Sequence, residues 1–286
     1  MLKKAKILGA LISLASANAM AITVTTTDDA NTLANEILGS GITIVGPVSY
    51  IGETTQSGTF TDGSVIGIES GIILTSGDAN DAVGPNVSDA TTTNWSSPGD
   101  ADLDGLVAPF ATQDAAVLEF DFTSDGGDLF FNFVFASEEY NEYVDSQFND
   151  VYAFFVDGVN IALAPNGDVA AINTINCGNP FSGAGPNCDS FNNNDPTNGI
   201  PTPFDIEYDG FTDVLTAELL DLTAGVHTIK IAIADTSDGV LDSAVFIQAG
   251  SFSDTPTVAA PGPLALLAFG LMGVIAQQRK NSRNTA

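Results

Sequence analysis

Residues 129–156 read LFFNFVFASEEYNEYVDSQFNDVYAFFV: two strongly apolar runs, 129–136 and 151–156, enclose a segment carrying Glu138, Glu139, Glu142, Asp145, Asn149 and Asp150. Apolar runs this short and this rich in Phe and Val suit strands rather than helices. The pattern recurs along the chain, with strand signals at 41–52, 64–77, 115–122, 160–164, 204–210, 213–219, 227–234 and 243–252. Asp157-Gly158 reads as a tight hairpin turn, and SDGGD (124–128) turns the chain between two Phe-rich strands. Only DDANTLANEILG (28–39) has helical spacing, with acids at its front and Gly39 as its stop. The expected fold is mainly β, an antiparallel β-sandwich or jelly-roll-like domain over residues 22–254 with one short N-terminal helix.

The charge distribution narrows the function. Of 286 residues, 36 are Asp or Glu and 7 are Lys or Arg. All the acids fall between Asp28 and Asp254, whereas Lys230 is the one basic residue between 22 and 260. Without a basic patch to displace counterions from phosphates, nucleic acid is excluded as a partner, and so is a polybasic attachment to a membrane surface. The 44% hydrophobic content and 18 Phe supply enough apolar area for a core. Ion pairing cannot hold such a fold together, so its carboxylates need water, a hydrogen-bond donor or a bound cation.

Acids inside apolar segments therefore stand out, and three places qualify. Asp100, Asp102 and Asp104, followed by Gly105, form a D-x-D-x-D-G array of the kind that begins a Ca²⁺ loop. Position 12 of such a loop is Ala111 rather than Glu, so this is no EF-hand; a looser Ca²⁺ turn and a solvated acidic loop both remain open. Glu138, Glu139 and Asp150 crowd between the two runs quoted above, and Asp235, Asp238 and Asp242 sit in IADTSDGVLDSAVF (233–246). A hard cation, Ca²⁺, is the expected cofactor at these places. The bland alternative is hydrogen-bonded turn aspartates, and a rival account of the overall charge is adaptation to salt.

Residues 173–203, rich in Asn, Gly and Pro, read as a long loop containing Cys177 and Cys188. In an exported protein these cysteines are expected to form a disulfide, contributing about 3 kcal/mol through loop entropy. An enzyme reading uses Glu138 or Glu139 with Asp150 or Asp235 as acid and nucleophile on a glycoside. The single histidine, His227, and the absence of a G-x-S-x-G elbow count against hydrolase triads. Trp95 and Tyr50 are conceivable sugar platforms, though a lone Trp is more often a loop anchor.

Both ends read as addresses. Residues 1–21, MLKKAKILGALISLASANAMA, place three lysines before an apolar run and small residues after it, the layout of a secretory signal peptide. At the other end, a linker (255–263) closing on Pro261, Gly262 and Pro263 leads into LALLAFGLMGVIA (264–276) and then Arg279, Lys280 and Arg283. As a helix that run spans about 20 Å, short of the ~30 Å hydrocarbon core. The segment 264–286 is expected to tether the protein transiently to the inner membrane, a plain C-terminal anchor being the alternative.

This C-terminal arrangement resembles the PEP-CTERM sorting signal of Gram-negative bacteria, with Gly262 where Glu is usual. The resemblance implies an exosortase-like processing enzyme as partner and delivery to the cell surface or matrix. VFASEEYNEYVDSQFNDVYAFFVDG, GDADLDGLVAPFATQDAAVLEFDF, EYDGFTDVLTAEL and HTIKIAIADTSDGVLDSAVFIQAGSF resemble the choice-of-anchor L domain over roughly residues 30–253. That implies one extracellular β-rich domain attached by an interchangeable sorting device, with no catalytic residue to carry over. The expected protein is a calcium-stabilised, adhesin-like or biofilm-matrix component that binds extracellular polysaccharide or another surface protein. The alternative is a secreted carbohydrate-active enzyme using paired carboxylates.

Overall fold

The computed structural model describes residues 21–179, 181–197 and 202–257. The signal peptide, apart from Ala21, and the sorting residues Pro261, Pro263, Arg279 and Lys280 lie outside the described residues. In chain order the strands are β1 (Thr23–Thr26), β2 (Ile42–Ile51), β3 (Ser57–Thr61), β4 (Gly71–Thr75), β5 (Thr112–Ser124), β6 (Gly127–Ser137), β7 (Val151–Val156), β8 (Val159–Asn160), β9 (Phe191–Asn193), β10 (Gly210–Thr212), β11 (Leu215–Leu222), β12 (Gly225–Thr236) and β13 (Ser243–Gln248). Two helices accompany them, α1 (Ala30–Ile37) and α2 (Ala101–Val107).

The strands form two antiparallel sheets packed as a sandwich. One runs β1-β3-β4-β13-β6-β10-β9, with β11 also pairing β6, and the other runs β2-β5-β12-β7-β8. The SDGGD turn carries the chain from β5 in the smaller sheet to β6 in the larger, through Gly126 (φ 93°) and Gly127 (φ 110°). Strand alternation decides what each sheet buries. Phe131, Phe133 and Phe135 of β6 face Phe120 and Phe122 of β5, Ile229, Ile231 and Ile233 of β12, and Tyr152 and Phe154 of β7 across the central core.

The alternate residues are covered as well. Val134 and Ala136 of β6 join Phe246, Phe211, Ile206 and Tyr208 in a cluster on the outer face of the larger sheet. On the outer face of the smaller sheet, Leu103 and Val107 of α2 cover Val117, Ala153, Ala232 and Ala234.

Helix α1 matches the expected segment: Asp29 caps it through the Asn31 and Thr32 amides, and Leu33, Ala34 and Ile37 are buried. Helix α2 corrects the expectation of a single helix. Asp100 caps it by accepting from the Asp102 and Leu103 amides. Seven residues interrupted by Gly105 are too few to show periodicity, and its stability comes from the apolar face it lays on the sheet.

Three further expectations shift. Residues 204–209 are no strand, and their β-bridge is the isolated Ile206–Val83 pair. Strand β8 is two residues long, and the loop 173–203 contains β9. The Cys177–Cys188 disulfide is formed as expected.

The last described segment is pinned to the body. Phe252 is fully buried, stacked on Phe131 at 4.1 Å between ring centroids and edge-on to Phe122 at 4.8 Å. Its carbonyl accepts from the Gly39 amide and its amide donates to Ile37, while Ser253 pairs with Phe130 at the start of β6.

His227, at the start of β12, is structural. One ring nitrogen lies 2.7 Å from Asp157 Oδ2 and the other 2.8 Å from the Thr223 carbonyl, two acceptors that together favour the imidazolium. The Asp157 hydrogen bond raises the His227 pKa above 6.5, and the same bond lowers that of Asp157. The stability His227 adds is complete below its unfolded value and lost as pH rises through the raised one. That of Asp157 is present above its unfolded value and lost as pH falls through the lowered one. NMR titration of the single imidazole should give a pKa above 6.5 that returns toward 6.5 in Asp157→Asn; an unchanged value in the variant would remove this pairing.

Candidate functional site

Buried acids collect at one end of the sandwich, where β6 ends and β10 and β13 begin. Ser137 of β6 pairs with Gly210 on one side and with Ser243 on the other. One step beyond these pairs, Asp209, Glu138 and Asp242 line up as a rung across three adjacent strands. The Glu138 amide donates to the Asp242 carbonyl (3.0 Å), and the Asn194 amide to the Asp209 carbonyl (2.7 Å). Alternation puts Glu138 on the side of Val134 and Ala136, the outer face of the larger sheet. Asp209, Glu138 and Asp242 are 0%, 1% and 2% exposed, so none keeps its hydration shell. Next along the rung Gly77 has no alternative, because a Cβ there would overlap the Asp242 carboxylate.

Residues 86–97 cross this rung as a strap without regular secondary structure. The strap brings hydrogen-bond donors. Asn86 Nδ2 donates to Asp209 Oδ1 (2.7 Å), Thr91 Oγ1 to Glu207 Oε1 (2.7 Å), and the Thr93 amide to Asp242 Oδ2 (2.9 Å). The amides of Trp95 and Ser97 donate to Asp114, while Trp95 Nε1 donates to the Gly77 carbonyl (3.1 Å), which makes Trp95 a loop anchor. Neither oxygen of Glu138 accepts a hydrogen bond, nor does Oδ2 of Asp209. The Thr91 amide comes close enough to favour the Glu138 carboxylate without reaching hydrogen-bond geometry.

A second group lies between the sheets. Asp150 Oδ1 accepts from the Thr236 amide (2.8 Å) and Oδ2 from the Ser243 hydroxyl (2.6 Å). Asp235 lies against Asp150 with no donor at either of its own oxygens. Two carboxylates can approach in this way only if a proton or a cation lies between them. Burial pushes Asp235 well above the usual carboxylate range, with the Asp150 charge adding to it. Asp150 itself is raised by burial to about 7, held down by its donors. Glu139 is pushed up to about 10 by burial, then by Asp150 and Asp238. On the rung, burial takes Asp209 to about 9 and Asp242 to about 7, and Glu138 well above its ordinary value, with Asp209 and Glu207 reinforcing it.

The structure thus gathers Glu138, Glu139, Asp150, Asp235 and Asp242 at one end, with Asp238 half-buried beside Glu139. It does not bring in Asp100, Asp102 or Asp104. Asp100 and Asp102 take the Lys230 ammonium at 2.6 Å each, and Asp104 accepts from the Thr112 amide, all on the far side of the smaller sheet with α2. Asp209, Glu207 and Asp114 escaped the sequence reading. FDIEYDG (204–210) reads as strand, although its acids within an apolar run are the same signal that marks Glu138. Among the described residues, no three Asp, Glu, His or Cys side chains already stand as a ready ligand cage for a metal ion.

A family model described as the Choice-of-anchor L domain matches residues 22–253. No curated protein and no solved structure matches the chain.

Two outcomes are expected from this geometry. The interior acids hold protons more tightly folded than unfolded, so their contribution is full below about pH 4 and is lost as pH climbs through their folded values. Thermal melts in chelator should therefore show the melting temperature falling from pH 4 through about 7, set by Asp150, toward about 10, set by Glu139. Asp235→Asn, which keeps a donor facing Asp150 without a titrating proton, should flatten that slope; a melting temperature that climbs steadily with pH would contradict the arrangement. Gly77→Ala, whose Cβ would overlap the Asp242 carboxylate, should cost about 1–3 kcal/mol in urea unfolding, the usual cost of overpacking a well-packed interior.

Proposed function

The chain belongs to the choice-of-anchor L domain family, which makes it a surface-associated protein, and we propose that it is an exported, calcium-stabilised structural or adhesive component of the cell surface or extracellular matrix of a Gram-negative bacterium. The observation that carries this reading is the family match across nearly the whole described body. The disulfide supports export, since such bonds persist outside the reducing cytoplasm. The tripartite N-terminal segment and the Pro-Gly-Pro, apolar and basic C-terminal segment support delivery through a secretory route and processing by an exosortase-like enzyme. Calcium is supported by desolvated carboxylates whose one internal lysine is committed elsewhere. An anionic matrix polysaccharide, bridged through divalent ions, is the partner this chemistry suits.

Two measurements test the proposal. On intact cells expressing the full chain, surface protease should reach the body, and immunoblots should show it without residues 258–286; a body found only in the cytosol defeats export. An uncleaved chain in the inner membrane defeats the sorting reading. Calorimetric melting in EGTA, in Ca²⁺ and in NaCl of matched ionic strength should show a calcium-specific gain of about 2.7 kcal/mol at one hundred times Kd. An equal gain in NaCl would return the charge to salt adaptation.

A further inference from the structure

The two groups of acids at this end are not equivalent, and the difference locates an ion. In the interior pair Asp150 has donors on both oxygens, so Asp235, whose own two oxygens are without a partner, faces a carboxylate that is already supplied. On the outer rung Asp242 is likewise provided for by Thr92 and Thr93 of the strap. Glu138 and Asp209 are left as two facing carboxylates that both keep unpartnered oxygens. They are cross-strand neighbours, a placement in which like charges repel. Three of their four carboxylate oxygens are buried without a partner. The strap's side-chain amide at this place, Asn86 Nδ2, is already spent on Asp209 Oδ1 and the Asn194 carbonyl.

From this we infer that one divalent cation of the calcium class binds between Glu138 and Asp209, beneath the 86–97 strap, with Glu207 as the adjoining carboxylate. The interior Asp150–Asp235 pair is not its site. The inference rests on the calcium reading above and gives it an address. The donors are all oxygens: both cysteines are bonded to each other, and His227 sits at the opposite end of β12, which disfavours zinc and other ions that prefer nitrogen or sulfur. The carboxylates come from separate segments, β6's end and the stretch before β10, and a large ion tolerant of irregular coordination suits such a set better than Mg²⁺. Drawing Glu138 and Asp209 together around the ion would also fix Asn86, and with it the strap, to the sheet.

The test is calorimetric titration of the full chain, freed of metal with EGTA, with CaCl₂. Glu138→Gln and Asp209→Asn should each weaken binding by about tenfold or more, while Asp235→Asn should bind as the unmutated chain does. Hydrogen exchange at amides 86–97 should slow on adding Ca²⁺ in the unmutated chain and in Asp235→Asn only. If Asp235→Asn loses binding and the other two retain it, the address is wrong and the calcium reading survives. If the unmutated chain takes up no Ca²⁺, both fall.

A second readout needs no change to a ligand. Tyr208 is buried beside Glu138 and Asp242 on the outer face. Tb³⁺ luminescence excited through tyrosine should lose most of its intensity in Tyr208→Phe with affinity unchanged; undiminished luminescence overturns the assignment even if the carboxylate variants fail to fold.

Discussion

Carboxylates stripped of water at one end of the sandwich set the terms for everything around them. A buried charge without a counterion is among the most costly things a fold can contain. This chain has one lysine to offer within its body, and that lysine reaches Asp100 and Asp102 on the far side of the smaller sheet. What remains is neutralisation by position. Ser243 and the Thr236 amide serve Asp150, the strap serves Asp242 and Asp114, and Gly77 keeps its side open so that Asp242 fits. The path of residues 86–97, otherwise irregular and poor in apolar contacts, follows from where these acids need donors.

Adjacent glutamates with different surroundings illustrate how strand alternation works past the end of a strand. Glu138 continues the outward side of β6 and meets Asp209, Glu207 and Asp242. Glu139, one residue on, is surrounded by Asp150, Asp238 and Glu142 instead. A shift of one residue in the register of β6 would exchange the two environments, and with them every aromatic ring between the sheets. Register and electrostatics are therefore fixed together, by Phe131, Phe133 and Phe135 on one side and by the acids at the strand's end on the other.

Much of this was legible before the structure. The apolar runs at 129–136 and 151–156 are strands with the near-continuous hydrophobic signal of a strand buried on both faces, and those at 115–122 and 227–234 show polar residues alternating with buried ones. The disulfide followed from two cysteines in one polar loop. The five central acids were visible because they interrupt apolar sequence. Features that depend on tertiary contact were not: β1 is a polar edge strand and β3 a polar strand beside it, neither with a periodic signal, and α2 is held by the sheet beneath it. Asp209 and Glu207 carry the local signal of acids in an apolar run, but nothing local reveals that residue 209 stands opposite residue 138. The Asp100 array shows the converse error. Its spacing is that of an ion-binding loop, yet the same carboxylates cap a helix and hold Lys230.

The fastening of Phe252 has a mechanical consequence. The chain leaves the body beside Phe130, at the start of β6, whereas the acids stand past Ser137 at its other end, about 24 Å away at the rise of a strand. Tension arriving through Thr257 would meet the Asn132 bond to Thr257 and the Ser40 bonds to Asp254, and then have to draw the Phe252 ring out from between Phe131 and Phe122 and break the backbone bonds to Ile37, Gly39 and Phe130, before reaching any loop at the far pole. A pull on that end of the chain would thus fall on the hydrophobic interior before the opposite pole.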